Sequence, residues 1–390
     1  MELIFPDRMT AADFLRSYWQ KKPLLLPGAV RDFNCPLGPE ELAGLACEPE
    51  IESRIVIQNG GHRPWEVRYG PFKEASFARL PASHWTLLVQ DVDKHVDEVG
   101  TLLDAFTFLP DWRLDDIMIS YAADQGSVGP HIDEYDVFLL QASGRRRWRI
   151  HTRPVPESDY IPELQLRILP EFEAQQEWLL EPGDMLYLPP RVAHWGIAEG
   201  DDCMTCSIGF RAPDYHEMAA DWCDDIIRRQ VPEGRYTDGE LKPQSHRGEI
   251  TRESLSNVDR LLESLLQQDE ASRARWFGRF ITEPKPHLQV SPRSETLTEA
   301  DFTRRCMRQP ALLRNNWSRF AYIRGDSGVD YLYSNGQEYP LPAELGGFLT
   351  LIGDHRRLAQ DRLHPWLDIP DCRTLLTRLY NAGHLRFDDE

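Results

Sequence analysis

The sequence predicts a mainly β domain of sandwich or barrel type, followed by a helical region and a winged-helix-like domain. From about Trp85 to Ala212, short runs rich in Val, Ile, Leu, Phe and Trp are divided by Gly and Pro turns, the pattern of many strands in one closed or packed sheet. After Pro213 the apolar residues recur with helical spacing. Beyond the segment EPKPHLQVSPRSET, whose three prolines read as a linker, helices alternate with a small hairpin. The boundaries expected are 1–212 for the β domain with its N-terminal elaboration (core about 85–212), 213–284 for the helical region and 285–390 for the winged-helix-like domain.

The individual elements follow from local chemistry. Thr10 can cap AADFLRSYWQ, Pro39 suits the first turn of EELAGLA, and KKPLLLPGAV between them reads as a short strand. The β region comprises WTLLVQ, IMISYAA, YDVFLLQA, RRRWRIH, DMLYLPP and CMTCSIGF, interrupted by one helix, DVDKHVDEVGTLLDAF. Asp214 can cap HEMAADWCDDIIRRQV, and ESLSNVDRLLESLLQQ and EASRARWFGRFIT are amphipathic. A helix is expected around Glu299 to Arg308, then strands in ALLRNN, FAYIRG and DYLYSNGQEYPL with a tight turn at Asn335-Gly336. Helices follow in PAELGGFLTLI and CRTLLTRLYNAGHL.

At 390 residues the chain is long for one core, and 41% hydrophobic with 27% charged residues is the balance of a folded protein. The apolar start of MELIFPDRMTAADF is broken by Pro6, Asp7 and Arg8, and no run approaches the length of a membrane span, so a cytoplasmic location is expected. Seven irregularly spaced cysteines fit reduced thiols better than a disulfide framework. Forty-four basic against sixty-three acidic residues give a net charge of -19, which repels nucleic acid and suits a basic partner. The same charge also serves plain solubility.

The strongest local signal is GPHIDEYDVFLLQASGRRRWRI. His131 and Asp133 are two apart, so on a strand they share a face and can bind one metal. His194 offers a third ligand, after a Gly-Asp turn, a strand and a Pro-Pro turn in EPGDMLYLPPRVAHWG. Two imidazoles and a carboxylate on one face of Fe(II) leave positions open for a chelating co-substrate and O2. Each element has a plainer reading: a His-x-Asp triplet arises by chance, and a strand-end histidine is common. Arg146 falls in phase with Trp148 and Ile150, while Arg145, Arg147 and Arg149 take the other face. A cation among apolar neighbours needs an anion, either the distal carboxylate of 2-oxoglutarate or a core carboxylate. Tyr135 and Asp136 are close enough in sequence to serve a substrate guanidinium, although Asp136 is out of phase with Asp133. Cys203 and Cys206 form a lone C-x-x-C whose thiols would face opposite ways on a strand, so both read as structural.

DDIMISYAADQGSVGPHIDEYDVFLLQASGRRRWRI, LEPGDMLYLPPRVAHWG and CSIGFRAP together resemble the bacterial JmjC-type ribosomal oxygenases. The resemblance extends to WQKKPLLL, PEELAGLACEPEIESR and RWFGRFIT, covers most of the first 285 residues and weakens in the last hundred. It implies a JmjC/cupin double-stranded β-helix, a helical dimerisation region forming a homodimer, and a C-terminal winged helix. It implies that His131, Asp133 and His194 ligate Fe(II) and that Arg146 holds 2-oxoglutarate. The expected reaction is hydroxylation at the β-carbon of an arginine in large-subunit ribosomal protein L sixteen, without need of nucleic acid. One departure is CMTCSIGF, which carries Thr205 and Cys206 where relatives have Asn and Tyr, so a polar contact there to the co-substrate is not carried over. The rival readings are a JmjC hydroxylase of another side chain or of RNA, and a cupin-like scaffold without catalysis. The intact ligand set weighs against the scaffold, and the acidic surface against RNA.

Overall fold

A computed structural model describes residues 2–59, 64–154, 160–161, 166–230, 235–238, 242–267, 269–326 and 328–389. The chain divides into two compact units, Met1–Ala212 and Pro213–Glu390.

The first unit opens with a helix, α1 (Ala11–Ser17), because Thr10 and Asp13 form a reciprocal capping box: Thr10 Oγ1 accepts from the Asp13 N–H at 3.2 Å and the Asp13 carboxylate from the Thr10 N–H at 3.1 Å. Strand β1 (Leu24–Leu26) and helix α2 (Pro39–Leu45) follow as expected. Strands β2 (Ser53–Gln58) and β3 (Trp65–Tyr69) then extend the sheet well before Trp85, ahead of a short helix, α3 (Glu74–Phe77), and β4 (Trp85–Val89). The helix expected over DVDKHVDEVGTLLDAF is instead broken into α4 (Val92–His95), α5 (Asp97–Gly100) and a 3-10 turn at Thr101–Phe106. Val96 between the first two is extended, at φ -126 and ψ 109. Each short turn is pinned by buried Val92, Val99, Leu102, Leu103 or Phe106, whose spacing imitates a continuous helix.

The remaining strands are β5 (Leu114–Ala122), β6 (Asp136–Pro154), β7 (Gln176–Leu180), β8 (Met185–Leu188) and β9 (Val192–Phe210). The nine strands lie in the order β1-β8-β6-β9-β5-β4-β2-β3, with β7 on the far half of β6. YDVFLLQA and RRRWRIH, expected as separate strands, are two halves of β6. The first half pairs with β8 and the end of β9, the second with β7 and the start of β9. Two long strands, β6 and β9, that pair with each other and take different neighbours along their two halves make a double-stranded β-helix. The bend is at Gly144, where φ is +60 and a Cβ would sit 2.8 Å from the Asp202 carbonyl oxygen. The register shifts there between Ser143 and Arg145, so the inward phase changes from Val137 and Leu139 to Arg146, Trp148 and Ile150. The opposite face of the first half carries Phe138 and Leu140 into the main core with Phe14, Phe106, Tyr187 and Phe210.

The second unit starts with α6 (Tyr215–Gln230), whose N–H groups at His216 and Glu217 donate to Asp214 Oδ1 at 2.7 and 3.3 Å. Helices α7 (Arg252–Leu266), α8 (Glu270–Thr282) and α9 (Glu299–Cys306) are capped by Thr251, Asp269 and Thr298. Val231 and Gln268, the last residues of two expected helices, lie outside the described residues. The proline-bearing segment after α8 has no helix or strand, yet it is a packed strap: Leu288 is buried, the Arg293 N–H donates to the Asn381 carbonyl and the Leu297 N–H to the Asn381 side chain. Strands β10 (Ala311–Arg314), β11 (Phe320–Ile323), β12 (Val329–Ser334) and β13 (Gln337–Pro342) follow, with Asn335 and Gly336 both at positive φ in the hairpin turn. The unit closes with α10 (Gly346–Asp354), β14 (Arg357–Ala359), α11 (Gln360–Leu367), α12 (Pro370–Asn381) and β15 (Leu385–Phe387). Its two three-stranded sheets run β14-β10-β15 and β11-β12-β13. The expected hairpin and helices form, whereas β14, α11 and β15 were not anticipated. Pro365 inside α11 reads in sequence as a breaker.

Candidate metal and co-substrate site

His131 and His194 are joined by a single antiparallel bridge, the His131 N–H donating to the His194 carbonyl at 3.0 Å and the reverse at 2.9 Å. The His-x-Asp triplet therefore precedes β6 as an extended segment and is not part of a regular strand. The two-residue spacing still puts both side chains on one side. The ligand atoms of His131, Asp133 and His194 lie within 4.8 Å of one another, and His194 Nε2 is 3.6 Å from Asp133 Oδ2. His131 Nδ1 is bonded to the Gly129 carbonyl and His194 Nδ1 to the Val192 carbonyl, each at 2.9 Å. A carbonyl can only accept, so each Nδ1 carries the proton and each Nε2 is left with a lone pair. Burial, then the neighbouring His131, pushes the His194 imidazole down to about 4, which keeps it neutral at pH 7 as a ligand must be. This donor set fits a divalent metal that prefers nitrogen and oxygen, with room for further ligands.

The three residues border a cavity of about 460 Å³ whose wall also includes Arg54, Tyr135, Arg146, Trp148 and Thr205. Strand alternation places Arg146 inward, 3% exposed, as the phase with Trp148 and Ile150 predicts. Its nearest partners are weak ones: Ser120 Oγ and Thr205 Oγ1 at 3.4 Å and the Gly196 carbonyl at 3.5 Å, while Nε has none. Among the described residues no core carboxylate pairs with it. Burial accordingly pulls the guanidinium below its usual value, with the Cys203 thiol opposing. Gly196 is required here, since a Cβ would come within 2.6 Å of Arg146 Nε and 2.7 Å of the Trp148 ring. By contrast Arg147 and Arg149 face outward and pair with Glu177 at 2.7 Å.

Tyr135 lies at the cavity rim, 42% exposed. The Asp133 carboxylate, then burial, then Asp116 and Asp115 push its phenol well above the ordinary range. Asp136 takes the other face, which corrects its assignment as a substrate contact: it is fully buried, accepts from Tyr187 Oη at 2.6 Å and Gln20 Nε2 at 3.0 Å, and pairs with Arg113 at 3.1 Å. It shares the phase of Phe138 and Leu140 and belongs to the core. Ser120, Thr86 and Arg54 on β5, β4 and β2 were not singled out in the sequence: the first two are small polar residues on strands that were expected, and β2 was not recognised as part of the barrel. Thr205 donates to Gln141 Oε1 at 3.2 Å. Cys206 faces away from the cavity into the main core, against which Cys35 also packs, while Cys203 lies by Gln141.

A double-stranded β-helix carrying two histidines and an aspartate beside a buried, unpaired arginine defines the class of JmjC oxygenases. JmjC domains match residues 101–218 and ROXA-like winged helices match residues 265–386. The chain is 33% identical over 376 residues to the ribosomal protein uL16 3-hydroxylase of Escherichia coli, covering 96% of this chain and 97% of that one. It superposes on the X-ray structure of E. coli ycfD with a TM-score of 0.87 at 32% identity over 100% of both chains. The YcfD ribosomal oxygenase in complex with cobalt and 2-oxoglutarate gives a TM-score of 0.84 at 32% identity over 99% of both chains. The chain belongs to the JmjC-domain ribosomal oxygenase family.

Proposed function

We propose that this protein is an Fe(II)- and 2-oxoglutarate-dependent hydroxylase that adds a hydroxyl to the β-carbon of an arginine in large-subunit ribosomal protein L sixteen. One observation carries the chemistry: a buried guanidinium without a carboxylate partner borders the same cavity as two histidines with free Nε2 atoms and an aspartate. The E. coli relative, a uL16 3-hydroxylase, supports the substrate. His131, Asp133 and His194 would hold the iron. When bound, the iron couples oxidative decarboxylation of 2-oxoglutarate by O2 to hydroxylation of a C–H bond. Arg146 would donate to the distal carboxylate of 2-oxoglutarate, which supplies the anion its burial demands. Trp148 and Arg146 pack directly against the bare backbone of Gly196 on this wall, which leaves no space for a side chain there. The carboxylates around Tyr135 attract the substrate guanidinium, and the phenol ring gives it a face to stack on.

The helical region 213–284 serves as a dimerisation surface in this reading. In α7 no residue is buried, and Val258, Leu261, Leu262 and Leu266 are 39%, 45%, 51% and 59% exposed on one stripe, with Leu265 beside them. Light scattering at micromolar concentration should give twice the chain mass, and a clean monomer would refute it. Nucleic acid is not needed for turnover, and among the described residues no helix is long and apolar enough to cross a membrane.

The test of the substrate is incubation of the protein with Fe(II), 2-oxoglutarate and an arginine-containing peptide of that ribosomal protein. One oxygen atom should be added on the arginine, and nothing when 2-oxoglutarate is omitted. An unmodified peptide beside efficient oxidation of a histidine peptide or an RNA would move the substrate elsewhere.

A further inference from the structure

The cavity has a second wall whose polar groups the chemistry above does not use. In β2 the buried residues Ser53, Ile55 and Ile57 alternate with Arg54 and Val56, so Arg54 turns away from the main core and toward the cavity. Register pairs Arg54 with Leu88 and Val56 with Thr86 on β4, which puts Arg54, Thr86 and Leu88 on one face. All three border the cavity. Arg54 Nε and Thr86 Oγ1 are both buried without a hydrogen-bond partner, and among the described residues no carboxylate is paired with Arg54. Arg146 and Trp148 on β6 carry the corresponding unmet N–H groups of the other wall. Four unmet donors in one cavity are costly unless a ligand meets them, because each buried donor has given up its hydrogen bond to water and gained none in return.

One dicarboxylate accounts for the donors on β6. Arg54 remains, on the wall of the same cavity that Tyr135 borders at its rim. A cation at this rim cannot favour the substrate guanidinium. It can favour an oxygen acceptor on the same substrate. We infer that Arg54 is a substrate-positioning residue, donating to an acceptor oxygen of the polypeptide that flanks the arginine to be hydroxylated. This rests on the reading of the protein as a polypeptide arginine hydroxylase. It makes the rim bipolar: carboxylates hold the guanidinium, and Arg54 fixes the chain that carries it, so the enzyme selects a peptide over a free amino acid.

Arg54→Met keeps the stem and removes every N–H, while Arg54→Lys keeps the charge and loses the planar fork. Steady-state kinetics with the ribosomal peptide should show KM for the peptide raised about 10–100-fold in Arg54→Met, the loss of one hydrogen bond to a charged group. Arg54→Lys should fall between it and the parent, with kcat changed far less than KM in both. A second peptide, with its flanking Asp, Glu, Asn and Gln replaced by Ala, separates the sources of the acceptor. An unchanged Arg54 effect on it assigns a main-chain carbonyl, and a vanished effect assigns a side chain. Thermal unfolding checks each variant, and if Arg54→Met is destabilised the Lys variant carries the test. Peptide KM equal to the parent's in a folded variant overturns the inference, as does a rise in the 2-oxoglutarate KM in its place. A parent enzyme that leaves the peptide unmodified overturns the substrate reading, and this inference with it.

Discussion

Arg146 and Arg314 are both buried arginines, one in each unit, 3% and 6% exposed. Arg314 Nη2 donates to the Ile352 and Gly353 carbonyls at 2.8 Å each, so the cation caps the end of α10 where unpaired carbonyls and the negative helix terminus favour it. Arg146 has only contacts of 3.4–3.5 Å and a bare Nε, in a cavity wide enough for a small molecule. The difference teaches how to separate a structural buried charge from a functional one. Burial is the same for both. What differs is whether the protein itself satisfies the donors.

The first way to break this comparison is to remove each cation. Arg146→Ala should raise the 2-oxoglutarate KM by about two to three orders of magnitude, since breaking a buried charged pair costs roughly 3–5 kcal/mol, and it should leave the melting temperature close to the parent's. Outward Arg147, paired with Glu177 and Glu199 at the surface, serves as the control. Arg147→Ala should change the same KM less than about twofold. Equal effects would mean that the strand phase does not decide the role.

Arg314→Met should do the converse. Loss of the cap on α10 should lower the stability of the second unit by about 1–3 kcal/mol in denaturant melts without a change in 2-oxoglutarate KM. A co-substrate defect in this variant would contradict the division.

A smaller effect sharpens the account of the second unit. Burial pushes His384 down to about 4, and its Nδ1 lies 3.0 Å from Ser318 Oγ. The folded unit therefore holds His384 neutral where the unfolded chain takes up a proton. Stability from this group is complete above the ordinary value of about 6.5 and is lost as pH falls from there toward about 4, to a limit of about 3 kcal/mol. Calorimetric melts of the parent between neutral and acid pH should show this slope, and His384→Gln should reduce it. An identical slope in the variant would assign the loss to other groups.

The inner face of β6 was legible because Arg146, Trp148 and Ile150 alternate with polar residues in sequence. The His-Asp spacing and the Pro-Pro return before His194 were legible for the same local reason. Arg54 was not, because SRIVIQ lies among Glu50, Glu52 and the charged residues after Trp65, and nothing local says which sheet it joins. Asp136 was misassigned from proximity alone. Its role depends on Gln20, Arg113 and Tyr187, partners brought by three other segments. The change of inward phase at Gly144 is a pairing effect between β6 and β9, visible only once the register is known.

The claim on which the rest depends is that His131, Asp133 and His194 form one metal site, and anaerobic equilibrium dialysis against Fe(II) tests it most directly. The parent should retain one iron per chain, and Asp133→Ala, its folding verified by circular dichroism, should retain none. Stoichiometric iron in a folded Asp133→Ala variant would contradict the account.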